Sequence, residues 1–157
     1  MGVEIERKFL VHKNKWDSFT KPKKDFYRQG YLFSDSNKTI RVRQTNDKGY
    51  ITIKGASIGL TRPEFEYEIP REDAEQLLNK FCVFELIKVR YKILFKNKIW
   101  EVDEFLGDNL GLIVAEIELK HENEQFEMPD WIANEVTDDN KYYNSCLAKT
   151  PYCNWVI

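Results

Sequence analysis

Apolar and charged residues alternate along most of the chain. Because successive side chains of a β-strand point to opposite faces, this period of two predicts strands with one apolar and one charged face. In the first of these strands, residues 1–11, the side chains of Glu4, Glu6 and Lys8 share the charged face. Arg7 is the exception on the apolar face.

Eight segments carry this pattern, and short turn-forming stretches join most of them. They are residues 1–11, 26–33, 39–45, 50–54, 63–70, 85–95, 99–105 and 112–120. A sheet of this many strands loses its exposed edges when it closes on itself, so the pattern predicts a small barrel. The expected fold class is therefore mainly β, an eight-stranded antiparallel β-barrel.

Amphipathic helical patterns separate and follow the strands. The predicted helices fall within residues 12–24, 71–81, 129–135 and 137–149, with Thr137 as the N-cap of the last. Because helices need an apolar surface to pack on, the apolar strand faces should point outward beneath them and the charged faces inward, toward a lumen. The opposite orientation, with charged faces in solvent and apolar residues inside, also satisfies the hydrophobic effect and stays open on periodicity alone.

Charge is segregated among the predicted strands. Basic residues gather on the third, fourth and sixth strands, and acidic residues on the first, fifth, seventh and eighth. At an effective dielectric near 20, two unit charges about 4 Å apart interact by roughly 4 kcal/mol, so an enclosed lumen of like charges needs counter-ions or a ligand. The Glu4 and Glu6 carboxylates suit a divalent cation, and Lys8 suits an anion. A polyphosphate chelated by magnesium carries both.

Composition bounds the classes of protein to which the chain can belong. With 157 residues, 42% hydrophobic and 32% charged, it suits one globular domain over residues 1–157. The 24 Lys and Arg against 26 Asp and Glu give a net charge of −2, so bulk charge recruits neither nucleic acid nor an anionic membrane. There is no long apolar run or signal-peptide pattern, so we expect a cytoplasmic location.

Seven ordered charge motifs carry a resemblance to a known family. They are ExExK at Glu4, Glu6 and Lys8, RxR at Arg41 and Arg43, TIKG with Lys54, ExExE at Glu64, Glu66 and Glu68, KxR at Lys88 and Arg90, ExD at Glu101 and Asp103, and ExE at Glu116 and Glu118. With these motifs in this order, the chain resembles the CYTH superfamily, the triphosphate tunnel metalloenzymes. The resemblance implies an eight-stranded antiparallel tunnel with a polar lumen, helices packed outside it, and metal-dependent hydrolysis of a triphosphate.

The resemblance also implies roles for these residues. Six cations would hold the phosphates: Lys8, Arg41, Arg43, Lys54, Lys88 and Arg90. Five carboxylates would hold Mg²⁺ or Mn²⁺ in a two-metal site: Glu4, Glu6, Asp103, Glu116 and Glu118. Four more would support them from nearby: Glu64, Glu66, Glu68 and Glu101. Lys8 and Tyr27 resemble the catalytic lysine and tyrosine pair of some bacterial members, with Tyr31 as the alternative to Tyr27.

The substrate is the least constrained of these expectations. Short bacterial members with a YRQGYL strand and a C-terminal TDD…YYNS segment resemble inorganic triphosphatases, so we expect conversion of tripolyphosphate to pyrophosphate and phosphate. Nucleoside or thiamine triphosphatase activity and adenylate cyclase activity are alternatives within the superfamily. A polyphosphate-binding module without catalysis is a further alternative. The expected partner is a small-molecule triphosphate, and no oligomeric state is predicted.

Overall fold

The computed structural model describes residues 2–155, and strands make up most of its regular structure. The strands are β1 (Val3–Val11), β2 (Asp25–Ser34), β3 (Lys38–Gln44), β4 (Gly49–Gly55), β5 (Thr61–Ile69), β6 (Phe84–Phe95), β7 (Lys98–Phe105), β8 (Ile113–Glu118) and β9 (Ile132–Glu135). The predicted domain of residues 1–157 includes Met1, Val156 and Ile157, which lie outside the described residues.

Three short helices accompany the strands: α1 (Lys13–Ser18), α2 (Arg71–Phe81) and α3 (Asn144–Lys149). Single 3₁₀ turns cover Gly107–Asn109, Asn140–Tyr142 and Tyr152–Asn154. Within residues 2–155, no helix combines the length and the apolar character that crossing a bilayer requires.

Pairing between β1 and β5 closes the sheet into a barrel. The strands follow one another in the order β5-β4-β3-β2-β6-β7-β8-β1, and every neighbouring pair is antiparallel. At the seam, Val3 lies opposite Pro63 and Ile5 lies opposite Thr61. The predicted eight-stranded antiparallel barrel is therefore confirmed.

The segment predicted as a helix over residues 129–135 is instead strand β9, so that prediction is wrong. Beyond its short pairing with β5, the edge of β1 offers free backbone groups, and β9 binds them, with Val11 opposite Ile132. The side chains of Trp131 and Ile132 are buried in the outer core, so tertiary packing overrides the local helical pattern.

The second C-terminal helix is shorter than predicted, because residues 137–149 contain a 3₁₀ turn and then α3. Thr137 does not cap a helix. Its hydroxyl accepts a hydrogen bond from the Lys8 backbone N–H at 3.0 Å and donates to Glu135 Oε2 at 2.6 Å. Glu135 also binds the Arg7 guanidinium through both carboxylate oxygens, which accounts for the arginine on the apolar face of β1.

The main apolar core lies outside the barrel. Outward-facing side chains of β6, β7, β8 and β1 pack beneath α1 and the segment that leads to β9: Phe9, Trp16, Val89, Tyr91, Ile93, Trp100, Val102, Ala115, Ile117, Leu119, Trp131 and Ile132. Within it, the indole ring of Trp16 lies 5.0 Å from that of Trp131 and 5.5 Å from the Tyr91 ring. The charged strand faces therefore point inward, as predicted, and the opposite orientation is wrong.

Helix α2 packs on the outer surface of β2, β3 and β4, where Ala74 and Leu78 contact Val42. Gly30 permits this approach. A Cβ atom at this position would lie 2.8 Å from the Leu78 side chain, which is closer than real Cβ contacts come.

Helix α3 closes one end of the barrel interior. Where β6 begins, the inward positions change from charged to apolar, and Leu86, Phe105, Leu112 and Val114 pack there against Leu147 of α3. We call these five side chains the inner apolar cluster. The inner face of the barrel is thus polar along only part of its length, and the polar part ends at this cluster.

The outer core makes a prediction for stability. Ile117, which is fully buried, should cost about 2–5 kcal/mol of unfolding free energy when changed to alanine, because its removal leaves a cavity. Ile99 is 49% exposed, and Ile99→Ala should cost less than about 1 kcal/mol. Urea unfolding measures both, and equal losses in the two variants would contradict the placement of the core outside the barrel.

Candidate active site

Strand order gathers the inward-facing charges into two walls around one lumen. Strands β7, β8, β1 and β5 adjoin one another and carry most of the carboxylates, and we call them the acidic wall. Strands β4, β3, β2 and β6 complete the circle and carry most of the cations, as the basic wall. They enclose a cavity of about 480 Å³.

Most of the predicted site residues line this cavity. They are Glu4, Glu6, Lys8, Tyr27, Tyr31, Arg41, Arg43, Lys54, Glu64, Glu66, Arg90, Glu101, Glu116 and Glu118. The structure therefore brings together, in one cavity, side chains from β1 to β8 that are far apart in the sequence.

Lys88 and Asp103 do not line the cavity but lie beneath its surface, both fully buried. Lys88 Nζ donates to Asp103 Oδ2 at 2.7 Å, and Arg90 donates to both oxygens of the same carboxylate at 2.7 and 2.9 Å. Burial, helped by the Arg90 and Arg43 guanidinium groups, lowers the pKa of Lys88 to about 7 despite the nearby Asp103. Since both Asp103 oxygens are engaged, this carboxylate is placed to orient Arg90.

Glu68 is the third predicted residue that lies away from the cavity. It is exposed and pairs with Lys48 across the sheet at 3.3 Å.

Arg43 is the least compensated cation of the basic wall. Its Nε donates to Gln29 Oε1 at 3.1 Å, and among residues 2–155 it forms no ion pair with a carboxylate. Burial, together with the positive charges of Arg41 and Arg90, lowers the pKa of Arg43 to about 10. Its guanidinium lies 4.7 Å from the ring of Tyr27, which supports it from one side.

The other cations leave further hydrogen-bond donors without acceptors. Arg41 donates to Thr52 Oγ1 and Glu66, but its buried Nε has no partner within the described part of the chain. The Lys8 ammonium is 3.7 Å from Glu116, which is beyond hydrogen-bond distance. Lys54, like Arg90, is paired with carboxylates: its Nζ lies 2.9 Å from Glu4 and 3.3 Å from Glu64. The wall is therefore prepared to bind an anion.

The acidic wall places like charges directly opposite each other. Glu6 faces Glu118 between β1 and β8, and Glu101 faces Glu116 between β7 and β8. Burial and the neighbouring Glu116 and Glu4 carboxylates raise the pKa of Glu6 well above its usual value. Burial, with Glu4 and Glu101, likewise raises the pKa of Glu118.

Two carboxylates of this wall are held ionised by cations. Burial alone would raise the pKa of Glu116, but Lys8 and Arg90 outweigh it and hold this pKa well below its usual range. In the same way, Lys54 outweighs burial and lowers the pKa of Glu4. The crowded Glu6 and Glu118 thus form the part of the wall that a cation would stabilise most.

The carboxylates suit a divalent cation that binds together with phosphate. Within the described residues, no group of three His, Cys, Asp or Glu side chains is assembled as a metal site. Mg²⁺ is commonly held by one or two carboxylates, with waters and substrate phosphates as its other ligands. The opposed pair of Glu6 and Glu118, whose pKa values are both raised, fits that requirement.

Both candidate tyrosines lie on the inner face of β2. The ring of Tyr27 packs 4.7 Å from Arg43 and 5.1 Å from Arg90, whereas the Tyr31 hydroxyl accepts from Gln29 Nε2 at 3.1 Å. Lys8 forms no side-chain hydrogen bond with either one in the structure described, and its ammonium lies 5.5 Å from the Tyr143 ring. The pairing of Lys8 with Tyr27 or Tyr31 stays a prediction.

Sequence reasoning missed several polar residues in or beside the cavity, among them Gln29, Arg62 and Asn144. Gln29, fully buried, alternates with Tyr27 and Tyr31 on the inner face, so its position in β2 could have identified it. Arg62 lines the cavity two residues before the first glutamate of β5, a signal of the same kind. Asn144, at the start of α3, lines the cavity with no periodic signal in the sequence.

Comparisons with known proteins agree on one family. The CYTH domain matches residues 2–150 of the chain. The inorganic triphosphatase of Acetivibrio thermocellus is 53% identical over 156 residues, which are 99% of this chain and 99% of that protein. The inorganic triphosphatase of Nitrosomonas europaea is 33% identical over 154 residues, 93% of this chain and 97% of that protein. A solved inorganic triphosphatase structure, 32% identical, has a TM-score of 0.64 and covers 94% of this chain and 95% of that chain.

The buried pair of Lys88 and Asp103, which we call the buried layer, makes a prediction for stability. Asp103→Asn should lower the unfolding free energy by about 3–5 kcal/mol, because it leaves Lys88 and Arg90 without their shared counter-charge. Glu101 also pairs with Arg90 but is 33% exposed, and Glu101→Gln should cost less than about 1 kcal/mol. Denaturant unfolding compares them. A loss in Asp103→Asn as small as that in Glu101→Gln would contradict the role assigned to this layer.

Proposed function

The chain belongs to the CYTH domain family, and from this membership we propose that it is an inorganic triphosphatase, which hydrolyses tripolyphosphate to pyrophosphate and phosphate. The observation that carries the proposal is the pair of oppositely charged walls around one lumen. A chain of phosphates with its divalent cation presents negative charge to one wall and positive charge to the other. The names of its close relatives support the same substrate.

The cations of the lumen hold the phosphate chain in this proposal. Arg43, Arg41 and Lys8 have donors without acceptors among the residues that the structure describes. Arg90 and Lys54 add positive charge from either side. Neutralising the phosphate oxygens reduces the repulsion that an incoming water oxygen meets. Lys88 acts from beneath, where it shares Asp103 with Arg90 and keeps that guanidinium in place.

The acidic wall would hold Mg²⁺ or Mn²⁺ through Glu4, Glu6, Glu116 and Glu118, in a site for two ions. A bound cation of this kind neutralises phosphate oxygens and lowers the pKa of a coordinated water. Glu64, Glu66 and Glu101 support this wall by binding Lys54, Arg41 and Arg90 respectively. Asp103 supports it through Arg90.

Lys8 is the cation that stands within the acidic wall, opposite Glu116 in the register of β1 and β8. From this position its ammonium can donate to an oxygen of the phosphoryl group under attack, and Tyr27, or Tyr31 in its place, would complete the catalytic pair. The predicted cytoplasmic location is consistent with this function and belongs to the same proposal.

The first test of this function is hydrolysis. Purified protein with tripolyphosphate and Mg²⁺ or Mn²⁺ should release orthophosphate, faster than from ATP, thiamine triphosphate or long-chain polyphosphate. Glu4→Gln should reduce the rate about 100-fold or more, because a metal-binding carboxylate is lost from the lumen. Glu68→Gln is the matched control, since Glu68 is exposed and does not line the cavity, and its rate should stay near that of the wild type.

Other outcomes of this assay would overturn the proposal in distinct ways. Tight binding of tripolyphosphate without phosphate release would indicate a binding module. Pyrophosphate and cyclic AMP as the main products from ATP would indicate a cyclase. Full activity in Glu4→Gln would remove that residue from the metal site.

The raised pKa of Glu6 makes a second prediction, on the pH dependence of metal binding. A carboxyl group whose pKa is raised keeps its proton to higher pH, and a divalent cation must displace that proton to bind. Affinity for Mn²⁺ should therefore rise with pH as Glu6 ionises, and binding should release protons. Calorimetry in two buffers of different ionisation enthalpy measures that release.

The control for this measurement is Glu6→Gln, which has no proton to lose. Its binding heat should depend less on the buffer than that of the wild type, whereas Glu68→Gln should behave as the wild type does. Proton release that is the same in Glu6→Gln and the wild type would show that another group supplies the proton.

A further inference from the structure

We propose that Asn144 binds the leading phosphoryl group of the substrate through its side-chain amide nitrogen, an inference that rests on the proposed function. Asn144 is the first residue of α3, and it lines the lumen beside Tyr143 and Ser145. It would be a substrate-binding residue supplied by the C-terminal segment instead of the barrel.

The surrounding hydrogen bonds fix the orientation of the Asn144 amide. Its Oδ1 accepts from Lys88 Nζ at 2.8 Å and from Gln29 Nε2 at 3.3 Å. Because a guanidinium has only donors, Gln29 must face Arg43 with Oε1 and Asn144 with Nε2, so the Asn144 atom that accepts from Gln29 is the oxygen. The Nδ2 group is therefore turned away from Lys88, and no residue of the described chain accepts a hydrogen bond from it.

The groups around Asn144 are arranged for an anion. Gln29 bridges Asn144 to Arg43, because its Oε1 accepts from Arg43 Nε while its Nε2 donates to Asn144. Arg43 itself lacks a carboxylate partner among residues 2–155, and Lys8 lies above the ring of the adjacent Tyr143. Free donors from an amide, a guanidinium and an ammonium thus border one region of the lumen.

The chain is anchored to the barrel both before and after Asn144. Before it, the chain is fixed to β1 because Val136 N–H donates to the Lys8 carbonyl at 2.8 Å. After it, Leu147 is buried in the inner apolar cluster. Because α3 closes one end of the barrel interior beside this cluster, Asn144 stands where the polar lumen ends. A phosphoryl group that reaches its amide is therefore the one at the front of the entering chain.

Asn144→Asp separates this role from a merely structural one. Aspartate keeps an oxygen that accepts from Lys88 and Gln29, so the anchoring of α3 is retained, but it replaces the free donor with a second carboxylate oxygen. Ser145→Asp is the matched control, because it adds the same charge at the next lumen-lining residue without removing that donor.

The readouts are the dissociation constant for tripolyphosphate, measured by calorimetry on metal-free protein, and the KM and kcat of hydrolysis. We expect Asn144→Asp to weaken binding and raise KM at least about tenfold more than Ser145→Asp does, the size of a lost hydrogen bond to a charged group. Its unfolding free energy should not fall below that of Ser145→Asp. If Asn144→Asp does not fold, Asn144→Ala compared with Ser145→Ala should show the same tenfold ratio in binding.

Equal binding in the two aspartate variants, or wild-type binding in Asn144→Asp, would overturn the inference. The binding measurement also keeps it distinct from the proposed function. A wild-type protein that binds tripolyphosphate but does not hydrolyse it would contradict the enzyme, and the Asn144 comparison would still be decided by affinity.

Discussion

Charge compensation across the lumen is the constraint on which the rest of the structure depends. Closing the barrel brings ionised groups from eight strands around about 480 Å³, where an uncompensated charge is costly. Strand order meets most of that cost by facing an acidic wall with a basic one, and the Lys54 and Glu4 pair joins them. The charged forms of Arg43 on the basic wall and Glu6 on the acidic wall remain poorly compensated. A bound anion would stabilise the first, and a bound cation would stabilise the second.

Charges are compensated differently beneath the cavity surface and at that surface. Beneath the surface, Asp103 accepts short hydrogen bonds from Lys88 and from the lumen-lining Arg90, so the charges of Lys88 and Asp103 belong to the folded structure. At the surface, Lys8 and Asn144 keep donors without protein acceptors within the described chain, and the Arg43 guanidinium donates to Gln29 through Nε alone. The buried layer fixes the direction of Arg90, and Gln29 does the same for Arg43, so the surface donors are oriented before any ligand arrives.

The period of two predicted the strands and which side chains share a face, and the need of the helices for an apolar surface predicted that the charged faces point inward. The pattern does not distinguish depth along the inner face, so Lys88 and Asp103 are among the predicted ligands although they lie beneath the cavity surface. It also missed β9, a strand of four residues whose formation depends on the free edge of β1. The strand pattern could not predict Asn144 as a site residue, because Asn144 lies outside the strands. The fold of the C-terminal segment brings it to the lumen.

The core that packs against the outer surface of the sheet separates the folding of this protein from its chemistry. Side chains such as Trp16, Trp100 and Ile117 bury apolar area on the far side of the strands from the lumen. Above the buried Lys88 and Asp103, inward-facing residues can therefore be exchanged with little loss of the scaffold, provided that the charges of the two walls stay balanced. One barrel can in this way diverge toward new polyanions while its exterior is retained.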